Sequence, residues 1–221
     1  MSAEPAAGSF PPGFFDRSDP TSDALFYRDQ RLVTHIDNRA IEAVGRLYTE
    51  LDLTGDVLDL MSSWISHFSS PTTSLTALGM NASELAANPM ATATVVQDLN
   101  TEPTLPFSDA SFDAVTCCVS VDYLTRPVEV FADVARVLRP GGTFVCTFSN
   151  RCFPTKAIRG WLTTDDAGRC DLVKRYFELA HAFAAPTINV AIAAGLGSDP
   201  LYAVWATVDP RPDRRQVPLS L

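Results

Sequence analysis

The stretch GDVLDLMSSWISHF, residues 55–68, decides the fold that this sequence predicts. It begins with a short apolar run, closes that run with a carboxylate, and continues into a turn of small residues. This order is typical of the first strand of a parallel sheet, whose carboxyl end opens onto a ligand crevice. We therefore predict a buried strand over 57–61 with Asp59 at its rim. The alternative is a core strand that ends in a serine turn and binds nothing.

Before this strand the sequence predicts an arm and a helix. Residues 1–23 are rich in Pro, Gly, Ser and Asp, which favours a flexible arm or a strap that lies over the domain. Apolar residues then repeat at helical spacing from Ile41 to Leu51. Thr34 or Asp37 is available as the N-cap of that helix. The helix is expected to pack its apolar stripe on the sheet.

After this strand, apolar runs alternate with helical patterns. The further predicted strands are 74–79, 94–97, 114–119, 143–148, 188–194 and 201–208. The predicted helices are 81–88, one around Phe131 that Pro140-Gly141-Gly142 ends, and one that Pro186 ends. A short loop joins the last two strands into a hairpin. We therefore predict one α/β domain over 24–221, a doubly wound, seven-stranded, mostly parallel sheet with an antiparallel C-terminal hairpin.

The composition limits the classes of function. The chain has 221 residues, of which 46% are apolar and 19% are charged, enough for one sizeable core. The formal net charge of -9 repels nucleic acid and anionic lipid, so neither is expected as a partner. The sequence shows neither a basic, apolar leader nor a membrane-spanning run, and its five cysteines include no CxxC pair. We expect a cytoplasmic protein with reduced cysteines.

Two phrases in the second half of the chain resemble a known family. They are LPFSDASFDAV at 105–115 and RVLRPGG at 136–142. In this order and at this spacing they resemble the class I S-adenosylmethionine-dependent methyltransferases, particularly the small-molecule type grouped with ubiquinone and menaquinone methyltransferases. That family has a Rossmann-like sheet of the seven-stranded kind predicted above. The resemblance implies methyl transfer from S-adenosylmethionine to a small-molecule acceptor.

The resemblance also implies cofactor-binding positions. Asp59 stands where the family's first-strand acid lies near the methionine portion, with Ser62 and Ser63 lining that pocket. Asp98 and Leu99 stand where the family meets the adenine amino group, because a carboxylate accepts from an exocyclic N–H. Both acids have structural alternatives: Asp98 as the cap of a turn, and Asp59 as an acceptor for loop N–H groups.

Two departures from the family pattern change the expected contacts. The glycine-rich first loop of the family is replaced by MSSWIS at 61–66. The acid that usually ends the second strand and bonds both ribose hydroxyls is Gly79, followed by Met80 and Asn81. If Asn81 takes over that role, the loss of a charge-assisted hydrogen bond weakens binding roughly tenfold. Met80 is expected to contact the adenine or the sulfonium.

A polar and aromatic segment precedes the first packed helix and is expected to cover the crevice. It carries Tyr27, Arg31 and His35. Arg31 is expected to pair with the carboxylate of the cofactor, and Val119 to border the cofactor at the end of the fourth strand. Closure would exclude water and strengthen the polar contacts inside. The alternative is an ordinary surface helix with one satisfied histidine.

Catalysis by methyl transfer needs positioning more than a fixed set of catalytic residues. A general base is required only where the acceptor must lose a proton, and the candidates are His35, Tyr27 and Tyr123. The loop after the fifth strand supplies groups that are expected to hold an anionic or polar acceptor. These are Asn150, Arg151 and Lys156.

Two other classes of function remain open from the sequence. A methyltransferase-like domain can keep its fold and serve as a nucleoside-binding or assembly module. A different enzyme can use the same scaffold and cofactor without transferring a methyl group, because fold does not fix function. Binding of S-adenosylhomocysteine would discriminate these possibilities from a protein that binds no such nucleoside.

Overall fold

A seven-stranded sheet runs through the computed structural model, which describes residues 10–195 and 197–209. The strands are β1 (Asp56–Leu60), β2 (Ser74–Gly79), β3 (Ala93–Val96), β4 (Phe112–Cys118), β5 (Leu138–Phe148), β6 (Thr187–Ile192) and β7 (Leu201–Thr207). Their spatial order is β3-β2-β1-β4-β5-β7-β6. Strands β1 to β5 pair in parallel, and β7 pairs antiparallel with both β5 and β6. The predicted mostly parallel sheet with an antiparallel hairpin is confirmed.

Helices cover both faces of this sheet. They are α1 (Asp23–Phe26), α2 (Asn38–Glu50), α3 (Ala82–Ala86), α4 (Pro127–Val137), α5 (Arg159–Leu162) and α6 (Asp166–Ala180). Helix α2 buries Val44 and Tyr48 in a cluster that contains Val57 of β1. Helices α4 and α6 bury Phe131 and Phe177 in the larger cluster on the other face. In the part of the chain that the structure describes, none of the helices is long and apolar enough to cross a membrane.

Parallel pairing brings the carboxyl ends of four strands to one edge. Asp59 of β1 lies beside Ala77 of β2 and Thr116 of β4. Gly79, the last residue of β2, lies beside Val96, the last residue of β3. The connections between these strands, which include α3 after β2 and α4 after β4, return the chain to the opposite edge each time. The loops that follow β1 to β4 therefore converge, and these loops carry most of the predicted site residues.

The structure corrects some predicted boundaries. Helix α4 ends at Val137, and β5 begins at Leu138, so Pro140-Gly141-Gly142 lies inside the strand instead of ending the helix. The segment before α2 is not helical, because α2 begins at Asn38 with Asp37 as its N-cap. The Asp37 side chain accepts from the backbone N–H of Ala40, which confirms one of the two predicted caps.

Residues 10–23 are a packed strap and not the mobile arm that the composition favoured. Phe10, Phe14 and Phe15 contact the larger core cluster, and their rings lie within about 5 Å of one another. The backbone N–H of Gly160 donates to the carbonyl of Phe14. A Cβ on Gly160 would lie 2.2 Å from the Phe14 ring, so the strap fits a site that only glycine leaves open. Residues 1–9 of the predicted arm lie outside the described residues.

Candidate functional site

The main cavity lies where the carboxyl ends of β1 to β4 converge. It encloses about 1200 Å³, including open solvent at its mouth. Small-molecule sites are typically concave and combine apolar walls with a few polar groups, and this cavity has both kinds of lining residue. Its walls are the loops after the four strands, together with the chain between the strap and α2. This is the place that a doubly wound sheet offers to a ligand.

Asp59 forms part of the floor of this cavity and is 3% exposed. Its two carboxylate oxygens accept from Ser62 Oγ at 2.6 Å and from Thr116 Oγ1 at 2.7 Å. Burial raises the pKa of Asp59, and these two hydrogen bonds act in the opposite direction. The carboxylate therefore holds the first turn of the loop after β1. The structural alternative for Asp59 was an acceptor for loop N–H groups. Asp59 does hold the loop, but the donors are side-chain hydroxyls.

The loop after β1, residues 61–67, which we call the serine loop, crosses over the end of β2. The backbone N–H of Ser62 donates to the carbonyl of Leu78 at 2.8 Å. A Cβ on Gly79 would lie 2.1 Å from the carbonyl oxygen of Ser62. No side chain fits at position 79 while the loop follows this path. The path of the serine loop and the glycine at position 79 therefore depend on each other.

Left-handed backbone conformations mark two of the strand ends at the cavity. Met61, after β1, has a φ of 53°, and Val119, after β4, has a φ of 51°. His67, at the end of the serine loop, has a φ of 56°. Such conformations are uncommon for residues other than glycine and are a genuine outlier for β-branched valine. They cost ~1–3 kcal/mol each and often occur at ligand sites.

Asp98 lies in the cavity wall just after β3. One carboxylate oxygen accepts from the N–H of Asn100 at 2.9 Å, and the other accepts from Thr101 Oγ1 at 2.8 Å. The predicted turn cap is therefore present. Each carboxylate oxygen has a second acceptor site, so a cap of this kind leaves capacity for a ligand N–H. Leu99, beside it, is 4% exposed and also lines the cavity.

Residues 27–37, which we call the cover segment, form part of the wall of the main cavity through Tyr27, Arg31 and residues 33–36. The Asn81 carboxamide donates to the carbonyls of Tyr27 at 2.9 Å and Arg28 at 3.2 Å. The Trp64 indole N–H donates to the carbonyl of Val33 at 3.1 Å. Asn81 Oδ1 also caps α3 through the N–H groups of residues 83 and 84. The carboxamide of Asn81 is thus committed to the cover and to the helix, and it does not replace the missing ribose acid.

Arg31 lies in an aromatic setting within the cover segment. Its guanidinium carbon is 4.6 Å from the ring centroid of Phe26 and 5.8 Å from that of Phe153. One guanidinium N–H donates to the carbonyl of Phe26 at 2.7 Å. Arg31 lines the main cavity as predicted. Its guanidinium is already held by cation–π contacts and a carbonyl, so the predicted pairing with a cofactor carboxylate needs a donor that these contacts leave unused.

A side cavity adjoins the main cavity. It encloses about 770 Å³ with its open solvent, and Asn150 and Arg151 line it as the predicted acceptor site requires. Five residues line both cavities: Thr34, His35, Val119, Tyr123 and Phe153. The side cavity therefore connects the loop after β5 with the five residues that line both cavities.

Lys156, the third residue predicted to hold an acceptor, lies elsewhere. It is fully buried, and its ammonium lies 3.0 Å from Asp19 Oδ2 and 3.3 Å from Asp23 Oδ1. It also donates to the carbonyl of Thr21 at 2.7 Å. These partners belong to the strap and to α1, so Lys156 anchors the strap. The interpretation of Lys156 as an acceptor-binding residue is therefore wrong.

The three predicted bases differ in their protonation. Burial raises the pKa of Tyr27 and of Tyr123, so at neutral pH both are phenols and hydrogen-bond donors, which does not favour either as a base. Burial lowers the pKa of His35, which leaves a neutral imidazole with a free-base nitrogen. His35 lines both cavities, and its ring centroid is 5.2 Å from that of Phe153. Among the three, His35 is suited to accept a proton.

The main cavity brings together the predicted cofactor residues and the predicted bases. They are Asp59, Ser62, Ser63, Gly79, Met80, Asn81, Asp98, Leu99, Val119 and Arg31, with His35, Tyr27 and Tyr123. Its wall also contains residues that were not predicted, among them Glu84 and His67, which carry titratable side chains. Burial lowers the pKa of His67 to about 4, and its Nδ1 has no hydrogen-bond partner within the described ranges. For Glu84 the signal was an acid three residues after an Asn that begins a helix.

Comparison with known proteins agrees with this geometry. Residues 45–146 match the family model described as a methyltransferase domain. The central part of the chain is therefore similar to a methyltransferase domain. The match begins within α2 and ends within β5. It therefore contains the serine loop, Glu84 and Asp98, while the strap, the cover segment and the side-cavity loop lie outside it.

Similar proteins share this domain to different extents. A stretch of 55 residues is 47% identical to the demethylmenaquinone methyltransferase of Mycobacterium sp. (strain KMS), covering 23% of this chain and 24% of that protein. The chain thus matches about a quarter of the length of its curated relatives.

Solved structures show the same fold over about three quarters of the chain. An S-adenosylmethionine-dependent methyltransferase from Mesorhizobium loti aligns with a TM-score of 0.52 at 15% identity, over 75% of this chain and 97% of the other. An S-adenosylmethionine-dependent methyltransferase from Archaeoglobus fulgidus aligns with a TM-score of 0.55 at 13% identity, over 77% of this chain and 94% of the other. At these identities the alignments establish the Rossmann-like methyltransferase fold.

Proposed function

We propose that this protein transfers a methyl group from S-adenosylmethionine to a small polar or anionic acceptor. One observation carries the proposal: acids near the carboxyl ends of three strands line a single cavity. They are Asp59 near the end of β1, Glu84 on α3 after β2, and Asp98 after β3. Each strand exit thus offers an acceptor for the hydrogen-bond donors of a nucleoside-linked amino acid.

The chemistry of this donor set fits the cofactor. S-adenosylmethionine carries an ammonium, a sulfonium, two ribose hydroxyls and an adenine amino group. Carboxylates accept from the ammonium, the hydroxyls and the amino group, and their charge favours a cationic ligand. Asp59 would serve the methionine end, Glu84 the ribose hydroxyls and Asp98 the adenine. When bound, the cofactor supplies an electrophilic methyl group.

The side cavity is the proposed acceptor site. Arg151 and Asn150 line it on the loop after β5, and a guanidinium recognises an anionic group well. Phe153 and His35 lie between the two cavities and present an apolar ring and a neutral imidazole. An acceptor held there directs its reacting atom toward the shared wall. His35 takes the proton from acceptors that must lose one.

The cover segment contributes by excluding water. It closes the mouth of the main cavity through hydrogen bonds from Asn81 and Trp64. A displacement at a cationic centre is favoured when the nucleophile and the leaving group are aligned and poorly solvated. Positioning and closure therefore supply most of the catalysis, and a cytoplasmic small molecule is the expected acceptor.

Binding of S-adenosylhomocysteine tests the proposal. Calorimetric titration of the full chain should show one site, and Asp98→Asn should bind at least tenfold more weakly, since it removes the charge but keeps an acceptor for the turn. Asp171→Asn, an exposed acid on α6, is the matched control and should bind as the wild type does. Absence of heat and of any shift in Tm at millimolar ligand would contradict the proposal. Binding without methyl transfer to any small molecule would instead favour a nucleoside-binding module.

A further inference from the structure

Glu84 connects two parts of the main-cavity wall that are far apart in the sequence, the cover segment and the serine loop. Its Oε1 accepts from the backbone N–H of Arg31 in the cover segment at 2.7 Å. Its Oε2 accepts from Ser63 Oγ in the serine loop at 2.7 Å. The two partners are 53 and 21 residues away along the chain. One side chain on a short helix thus fixes the relative position of both segments.

The position of Glu84 follows from the path of the serine loop. The carbonyl of Ser62 occupies the space that a side chain at Gly79 would need. A carboxylate at the end of β2 is therefore excluded, and the next acid along the chain that lines the cavity comes from α3. Asn81, which begins α3, also holds the cover segment. Helix α3 therefore presents two side chains to the same cover.

We propose that Glu84 is a positioning residue that makes closure of the cavity depend on its carboxylate and couples closure to ligand binding. The two oxygens offer about four acceptor sites, and the contacts above use two of them. Ligand hydroxyls that take the remaining sites fix the carboxylate in the same orientation that holds Arg31 and Ser63. Ligand binding and closure then stabilise each other, because both favour one rotamer of one side chain. This coupling rests on the proposed function, whereas the contact between Glu84 and Arg31 does not.

Hydrogen exchange of the Arg31 backbone amide, measured by NMR on the free full-length protein, tests the first part. Glu84→Ala removes the acceptor and should speed exchange at Arg31 at least tenfold, equivalent to about 1.4 kcal/mol. Glu84→Gln keeps an amide oxygen as acceptor and should restore part of the protection. Glu102→Ala, an exposed acid near β3, is the control and should leave Arg31 unchanged. Unchanged exchange at Arg31 in Glu84→Ala would overturn the proposal.

The dissociation rate of S-adenosylhomocysteine tests the coupling. In Glu84→Ala the ligand should leave at least tenfold faster, and in the wild type the bound ligand should slow exchange at Arg31 further. A role confined to the stability of α3 would lower Tm without changing the ligand's effect on Arg31, and would overturn the coupling. If the wild type does not bind this ligand at all, the proposed function fails. The exchange measurement on the free protein still decides whether Glu84 holds the cover.

Discussion

At the scale of single residues, the strand ends combine left-handed backbone conformations with a buried carboxyl group. Met61 and Val119 adopt φ angles of 53° and 51° at the carboxyl ends of β1 and β4, and Asp59, near the end of β1, is buried. Strain of this kind persists only where the surroundings determine the conformation. Here the hydrogen bonds from Ser62 and Thr116 to Asp59 supply that constraint on the serine loop.

Gly79→Ala tests the link between the serine loop and the end of β2. A Cβ there would lie 2.1 Å from the Ser62 carbonyl oxygen, so the loop must move. We expect a loss of about 1–3 kcal/mol in the free energy of unfolding, typical of overpacking, with NMR shift changes centred on the serine loop. Gly141→Ala is the comparison, since it has a φ of 80° and open space, and its effect should come from backbone strain alone. An unperturbed serine loop in Gly79→Ala would contradict the link.

Asp122 should make stability depend on pH. It is 2% exposed, Oδ2 has no hydrogen-bond partner among the described residues, and burial raises its pKa to about 8. Because the folded pKa exceeds the unfolded value of 3.8, the stability it contributes is present below about pH 4 and lost as pH rises through about 8.

Asp122→Asn removes that titration and provides the measurement. Between pH 5 and pH 8.5 the wild type should lose stability relative to Asp122→Asn. The difference in their free energies of unfolding should change in favour of the variant by at least about 1.4 kcal/mol, the equivalent of one pKa unit. Urea unfolding across this range measures the difference. Asp171→Asn, at an exposed site, should run parallel to the wild type. Parallel curves for Asp122→Asn would show that Asp122 is ionised without penalty in the folded protein.

At the scale of elements, the strap and α1 are held to the domain by buried charge. Arg17 lies 2.7 Å from Asp23, and the fully buried Lys156 lies 3.3 Å from it. Asn100 donates to Asp23 Oδ2 at 3.0 Å, which connects the strap to the loop after β3. A charge network with this much hydrogen bonding is costly to break from one side, because the remaining charges stay buried.

Asp23→Asn and Lys156→Met test this anchor by a double-mutant cycle. Asp23→Asn should lower the free energy of unfolding by about 3 kcal/mol, because Lys156 and Arg17 lose their shared carboxylate. The double variant should lose at least 1 kcal/mol less than the sum of the single variants, since the two charges are coupled. Chemical denaturation measures all three. Additive losses would show that Asp23 and Lys156 do not stabilise each other.

At the scale of the whole molecule, the sequence predicted the sheet but not the contacts of the strap and the cover segment. Alternation of apolar runs and helices along the chain is a local signal, so the seven strands and the hairpin followed from it. The packing of Phe14 against Gly160 and the contact of Arg31 with Glu84 join residues far apart in sequence, and no local pattern reports them. Lys156 was misplaced for the same reason. A cationic residue in a loop near a crevice does not reveal which acids it meets.

The candidate site was predictable to the extent that strand ends locate it. The predicted residues of the first four strand exits line the main cavity because parallel strands must end at the same edge. The roles of those residues were harder to predict from the sequence. The Asn81 carboxamide donates to the carbonyl of Tyr27, and the Arg31 guanidinium donates to that of Phe26. Burial raises the pKa of Tyr123. These contacts and this burial depend on neighbours in three dimensions.

The most direct test of the central claim, that the cavity at the strand ends binds S-adenosylmethionine, is a crystal structure of the full chain with S-adenosylhomocysteine. We predict ligand density in the main cavity, with the adenine amino group within hydrogen-bond distance of Asp98 and the ribose hydroxyls within hydrogen-bond distance of Glu84. The cover segment should remain closed over the ligand. Density at another site, or an empty main cavity at saturating ligand, would contradict the claim.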